Sequence, residues 1–177
     1  MPHRKTPAGV AVAVAWAMVS AQAAAQTAAT PVATTAPAGA PDADARPSYE
    51  TVSLNGGFTV DPFPIGVIAG GPYSVAGLGP DCVGNITPGR ADAKIEFENG
   101  QRPLSIYAAA GSDVALLVHT PAGAWVCADD SDDGGINPAI TFQRPANGTY
   151  AVWVAAVDTS TRPVPAVLVI SELPPTW

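Results

Sequence analysis

Four carboxylates crowd into five positions of this chain, at Asp129, Asp130, Asp132 and Asp133, with Ser131 in their midst and Gly134-Gly135 behind them. Three kinds of chemistry deserve a test there. The first is acyl transfer, because Asp130-Ser131-Asp132-Asp133-Gly134-Gly135 superficially matches the Gly-Asp-Ser-Gly-Gly around a chymotrypsin-type nucleophile. An oxyanion hole of that kind draws on the amide of a glycine two residues before the serine, and Asp129 stands there. Carboxylates around the serine would also repel a developing oxyanion. His119, the one histidine beyond the first few residues, lies twelve positions upstream in a strand-like run. No catalytic residue is therefore assigned, and a secreted serine-peptidase-like hydrolase is the alternative to a non-enzymatic protein.

The second is metal binding. Asp129-x-Ser131-x-Asp133-Gly134 follows the first half of a calcium loop, in which alternate oxygen donors wrap a hard cation and glycine permits the sharp turn. Ile140 stands where an EF-hand has its bidentate glutamate, so the candidate is a calcium-stabilised β-loop of Asp129, Ser131, Asp133 and Asn137, with Asp130 as an alternate ligand. The simpler reading is a solvated acidic turn held by Asx hydrogen bonds. The third is glycan stacking by Trp125, Trp153, Tyr107 and Tyr150, against which stands their place in apolar runs that should form core. No Cys/His constellation points to zinc.

The chain that must position these residues has 177 residues and a formal net charge of −7. Its opening reads as a secretory signal over residues 1–25: His3, Arg4 and Lys5, an apolar run from Ala8 to Ala21, and small-x-small cleavage sites at Ala21-Gln22-Ala23 and Ala23-Ala24-Ala25. The run is shorter than the ~20 apolar residues that a spanning helix needs. Removing Arg4 and Lys5 leaves six basic residues against fifteen acidic ones, a net charge of −9. No two of the six adjoin in sequence, which argues against nucleic acid or an anionic membrane surface as partner. The partner is expected to be a protein or a glycan, and the location periplasmic or extracellular.

Export favours a disulfide, and Cys82 and Cys127 allow only one intramolecular pairing. Loop-closure entropy makes such a bond worth roughly 4 kcal/mol. Residues 26–48 are rich in Ala, Thr and Pro and predict an extended tether, followed by a folded domain over 49–173 and a short tail, 174–177. Within the domain no stretch of ten residues has helical spacing. Short β-type runs are predicted near Thr51–Leu54, Phe58–Val60, Ile65–Ala69, Ala93–Glu98, Leu104–Ala109, Val114–Thr120, Trp125–Ala128, Ala139–Phe142, Tyr150–Val157 and Ala166–Ser171. Asn55-Gly56-Gly57, Asn99-Gly100, Pro121-Ala122-Gly123 and Asn147-Gly148 supply turns between them. The fold class predicted is all-β, an antiparallel two-layer sandwich.

Gly79-Pro80-Asp81-Cys82-Val83-Gly84-Asn85-Ile86, Ala93–Phe97, Leu104-Ser105-Ile106-Tyr107, Asp113–Val118, Trp125–Asp130, Asn137-Pro138, Tyr150–Val154 and Ile170-Ser171-Glu172 follow one another in an order that resembles the pre-peptidase C-terminal (PPC-like) domains. Those are small exported bacterial β-sandwiches that accompany secreted proteases as non-catalytic modules. The resemblance covers most of 49–173 and implies a jelly-roll-like sandwich with the two cysteines joined. It supplies no activity. Ser131-Asp132-Asp133 departs from it by placing extra carboxylates before the two glycines.

Overall fold

The computed structural model describes residues 40–131, 135–157 and 163–176, all within one compact unit, residues 36–177. The expected signal and most of the expected tether lie outside the described residues, as do Asp132, Asp133 and Gly134. Among the described residues no helix is long and apolar enough to cross a membrane.

The described residues form a β-sandwich. Its strands are β1 (Glu50–Asn55), β2 (Phe63–Ala69), β3 (Tyr73–Ser74), β4 (Asn85–Ile86), β5 (Ala93–Glu98), β6 (Leu104–Ala110), β7 (Val114–His119), β8 (Trp125–Ala128), β9 (Ala139–Phe142), β10 (Gly148–Ala156) and β11 (Val164–Ser171). The smaller sheet runs β2-β11-β6-β9 and is antiparallel throughout. The larger is centred on β10, which pairs with β7 along one edge and with β5 and then β4 along the other. β8 extends it beyond β7, and β1 closes it beside β5 in the one parallel pairing among these strands.

Alternation builds the core between the sheets. In β5 the pattern Ala93-Lys94-Ile95-Glu96-Phe97-Glu98 buries every second side chain, and β2 and β11 face them with Ile65, Val67, Leu168 and Ile170. β7 and β10 break this rule, since Val114–Val118 and Tyr150–Ala156 are buried without interruption. Their second face, carrying Ala115, Leu117, Ala151, Trp153 and Ala155, packs against Val75, Cys82, Ile86 and Ala91. The segment 70–91 thus covers the outer face of the larger sheet. Cys82 and Cys127 are joined across 45 residues of sequence with Cα atoms 5.1 Å apart, fastening that flap to β8.

Two expectations give way. Phe58–Val60 is not a strand: Val60 is exposed, Phe58 packs on the core from a loop, and β2 starts only after Asp61-Pro62. Prolines at 62 and 64 remove ladder donors there. The Asp61 carboxylate instead accepts the Ser171 hydroxyl at 2.6 Å and the Glu172 amide at 3.1 Å, while Glu172 Oε2 accepts the Gly57 amide at 2.8 Å. The closing Ile170-Ser171-Glu172 is thereby the clasp that holds this loop. The end of the stretch read as a tether also joins the fold. The Asp42 amide donates to Gly89 O at 2.8 Å, Ser48 N to Ala91 O at 2.7 Å, and Pro47 is buried.

Candidate functional site

The β7–β8 hairpin positions the acidic stretch. Its register pairs His119 with Trp125 and Leu116 with Ala128, so the chain beyond β8 returns toward Asp113, the residue before β7. Carboxylate oxygens of Asp113, Asp129 and Asp130 come within 4.8 Å of one another there. Oxygens bound to one calcium at 2.3–2.6 Å stand no farther apart than about 5 Å, so the spacing suits a shared hard cation. Asp113 and Asp129 are half-buried, with their Oδ1 atoms closed to solvent, and Asp130 is exposed.

The remaining members of the expected ligand set are placed differently. Ser131 is bonded to Gly135: its hydroxyl donates to Gly135 O at 3.2 Å, and its amide donates to the same oxygen at 3.1 Å. Asn137 Oδ1 accepts the Ala110 amide at 3.1 Å, tying the loop to the end of β6. Asp133 lies outside the described residues. Asp113 was missed by sequence reasoning, yet a signal for it existed. Folding the two predicted strands about the Pro121-Ala122-Gly123 turn sets residue 113 opposite residue 131.

The same hairpin separates the residues that acyl transfer would need. His119 is at the turn end of β7, where its ring meets Trp125 edge-on at 4.7 Å, and Ser131 lies past the other end of β8. At the rise of an extended strand this places them roughly 15–20 Å apart, too far for a nucleophile and its base. The aromatic platform is equally absent as a surface: Trp153, Tyr150 and Tyr107 are buried, and Trp125 is half-buried against Trp153 at 5.4 Å between ring centroids.

A strongly perturbed titratable group sits elsewhere. Asp92 is buried where β10 changes partner from β5 to β4, and its Oδ2 accepts the Val154 amide at 2.7 Å, filling the ladder where neither strand reaches. Burial raises its pKa to about 7, against the opposing pull of that hydrogen bond.

No family model matches the chain. No curated protein matches it either. Among solved structures it is similar to that of Aeromonas hydrophila PliG, a periplasmic lysozyme inhibitor of g-type lysozyme, at 14% identity and a TM-score of 0.39, over 69% of this chain and 96% of that one.

Proposed function

We propose that the protein is an exported, non-enzymatic β-sandwich module whose acidic loop end binds a cationic ligand. The observation that carries this reading is the convergence of Asp113, Asp129 and Asp130 from two loops on one end of the disulfide-pinned sheet. Like charges partly withdrawn from water repel, and a counter-cation relieves that repulsion more effectively than screening does. Calcium is the ligand with the matching donor chemistry, all oxygen and all acidic. A basic side chain of a protein partner is the same chemistry presented from outside, and the acidic surface as a whole steers such a partner inward. The disulfide and the resemblance to exported PPC-like modules support the placement in the cell envelope.

Thermal melts of the mature protein in chelator, calcium and ionic-strength-matched sodium chloride test the reading. A ligand bound only by the folded state adds about 2.7 kcal/mol at a hundredfold excess over Kd, so calcium should raise Tm beyond the sodium control. Asp113→Asn and Asp129→Asn should each remove the difference. Equal shifts in the two salts would leave the loop a solvated acidic turn. Serine-dependent turnover of broad peptide and ester substrates would overturn the non-enzymatic reading itself.

A further inference from the structure

The scattered basic residues of the sequence are not all scattered in space. The segment 42–48 is held against 89–91 at its two ends, by the amide of Asp42 on Gly89 O at 2.8 Å with a backbone bridge of Asp42 with Arg90, and by the amide of Ser48 on Ala91 O at 2.7 Å. This last pairing carries the parallel β1–β5 register back as far as Ser48 and Ala91, and the Asp42–Arg90 bridge lies beyond it, out of that register. These contacts bring Arg46 and Arg90 to the wall of one cavity of about 400 Å³, with Ser48, Tyr49 and Thr51 as the other polar lining.

Both guanidiniums are exposed, and among the described residues neither is in an ion pair or a hydrogen bond. That is unexpected in a chain with fifteen carboxylates and eight basic side chains. The carboxylate of Asp42, whose backbone bridges that of Arg90, turns instead to its own chain, where its Oδ1 accepts the amides of Asp44 and Ala45 at 2.9 and 3.2 Å. Tyr49 is fixed as well, its hydroxyl accepting the Ile68 amide of β2 at 3.0 Å. The cavity therefore has walls set by backbone pairing, two unopposed planar cations, and hydroxyls between them.

We infer that this cavity is an oxyanion-binding site, in which Arg46 and Arg90 hold one phosphoryl or carboxyl group while Ser48, Tyr49 and Thr51 receive the polar remainder of the ligand. Guanidinium forks match both groups bidentately, and a charge-assisted pair is about twice as strong as a neutral hydrogen bond. The volume is many times the roughly 30 Å³ of a water, so the site takes a small organic ligand rather than a bare ion. Arg46 and Arg90 take no part in the acidic loop end, and the two readings stand or fall separately.

The test is a titration of the mature, isotope-labelled protein with inorganic phosphate, with glucuronate, and with sodium chloride at matched ionic strength, followed by amide and arginine Nε–H resonances. Saturable shifts at Arg46, Tyr49 and Arg90 are expected with phosphate or glucuronate, and the one that saturates at lower concentration assigns the phosphoryl or carboxyl source. Arg46→Gln and Arg90→Gln should each weaken binding at least tenfold. Arg46→Lys, which keeps the charge but not the fork, should weaken it severalfold. Because both side chains are exposed, resonances of the sheet core should stay in place in every variant. Shifts reproduced by chloride, failure of both anions to saturate, or an unchanged titration in the doubly substituted protein would overturn the site.

Discussion

The core between the two sheets and the smaller core outside the larger sheet are built by different means. The first is lined by every second residue of long strands, and each sheet supplies one wall. The second has one wall of strand, from β7 and β10, and one wall of flap, the segment 70–91, whose only regular pieces are the two-residue β3 and β4. A ladder that short contributes few hydrogen bonds, so the flap depends on its apolar contacts and on the bond from Cys82 to Cys127. A wall of this kind is expected to open locally before the sandwich does.

The largest effects should separate the two regions. Phe97 is fully buried between the sheets, and Phe97→Ala should cost about 3–5 kcal/mol, with faster amide exchange throughout the molecule. Replacing both cysteines by alanine should cost about 4 kcal/mol by loop-closure entropy. Here the exchange of the Val75 and Ile86 amides should rise well before that of Ile95 and Leu168. Equal acceleration at both sets would show that the flap and the sandwich open as one unit, and the contrast between the cores would fail.

The same contrast explains what the sequence could reveal. Ile95 and Phe97 alternate with Lys94 and Glu96, and this pattern located β5, as similar patterns located most of the long strands. In β7 and β10 the apolar runs showed burial on both faces, but nothing in them showed what lay over the second face. Tyr73-Ser74 and Asn85-Ile86 are too short to carry a period, so the flap was illegible. At the acidic end, Asp129 and Asp130 were legible because they are neighbours, whereas Asp113 arrives through strand register. Arg46 and Arg90 likewise line one cavity through the backbone contacts of 42–48 with 89–91, segments far apart in sequence.

Asp92 stands at the seam of the two cores, and its titration gives a smaller effect with a definite sign. Its folded pKa of about 7 lies above the ordinary 3.8, so between those values the folded chain holds a proton that the unfolded chain has released. Stability contributed by the neutral carboxyl is complete below about pH 4, falls as pH rises toward 7, and is level above that. Asp92→Asn keeps an oxygen for the Val154 amide and carries no charge. It should flatten this part of the pH profile and raise stability at pH 8 by about 1–3 kcal/mol, measured by denaturant unfolding at several pH values. An unchanged slope in the variant would assign the pH dependence to other groups.

The smallest effect tests whether the flap is tied to the seam by particular hydrogen bonds or only by apolar burial. Thr87, just past β4, donates its hydroxyl to Gly70 O at 3.0 Å, and the Gly70 amide reaches Val154 O at 3.4 Å, so a short chain of bonds runs from the flap to β10. Thr87→Val keeps the branched shape and removes the donor. The expected loss is about 1 kcal/mol, the usual net worth of one hydrogen bond. It should be seen in the exchange of flap amides such as Val75, which donates to Gly84 O at 3.1 Å, with the amides of β5 unaffected. If Val75 keeps its protection, burial of Val75, Ile86 and Trp153 together with the disulfide is sufficient to hold the flap closed. If β5 loses protection as well, the seam transmits the change and the two cores are one cooperative unit.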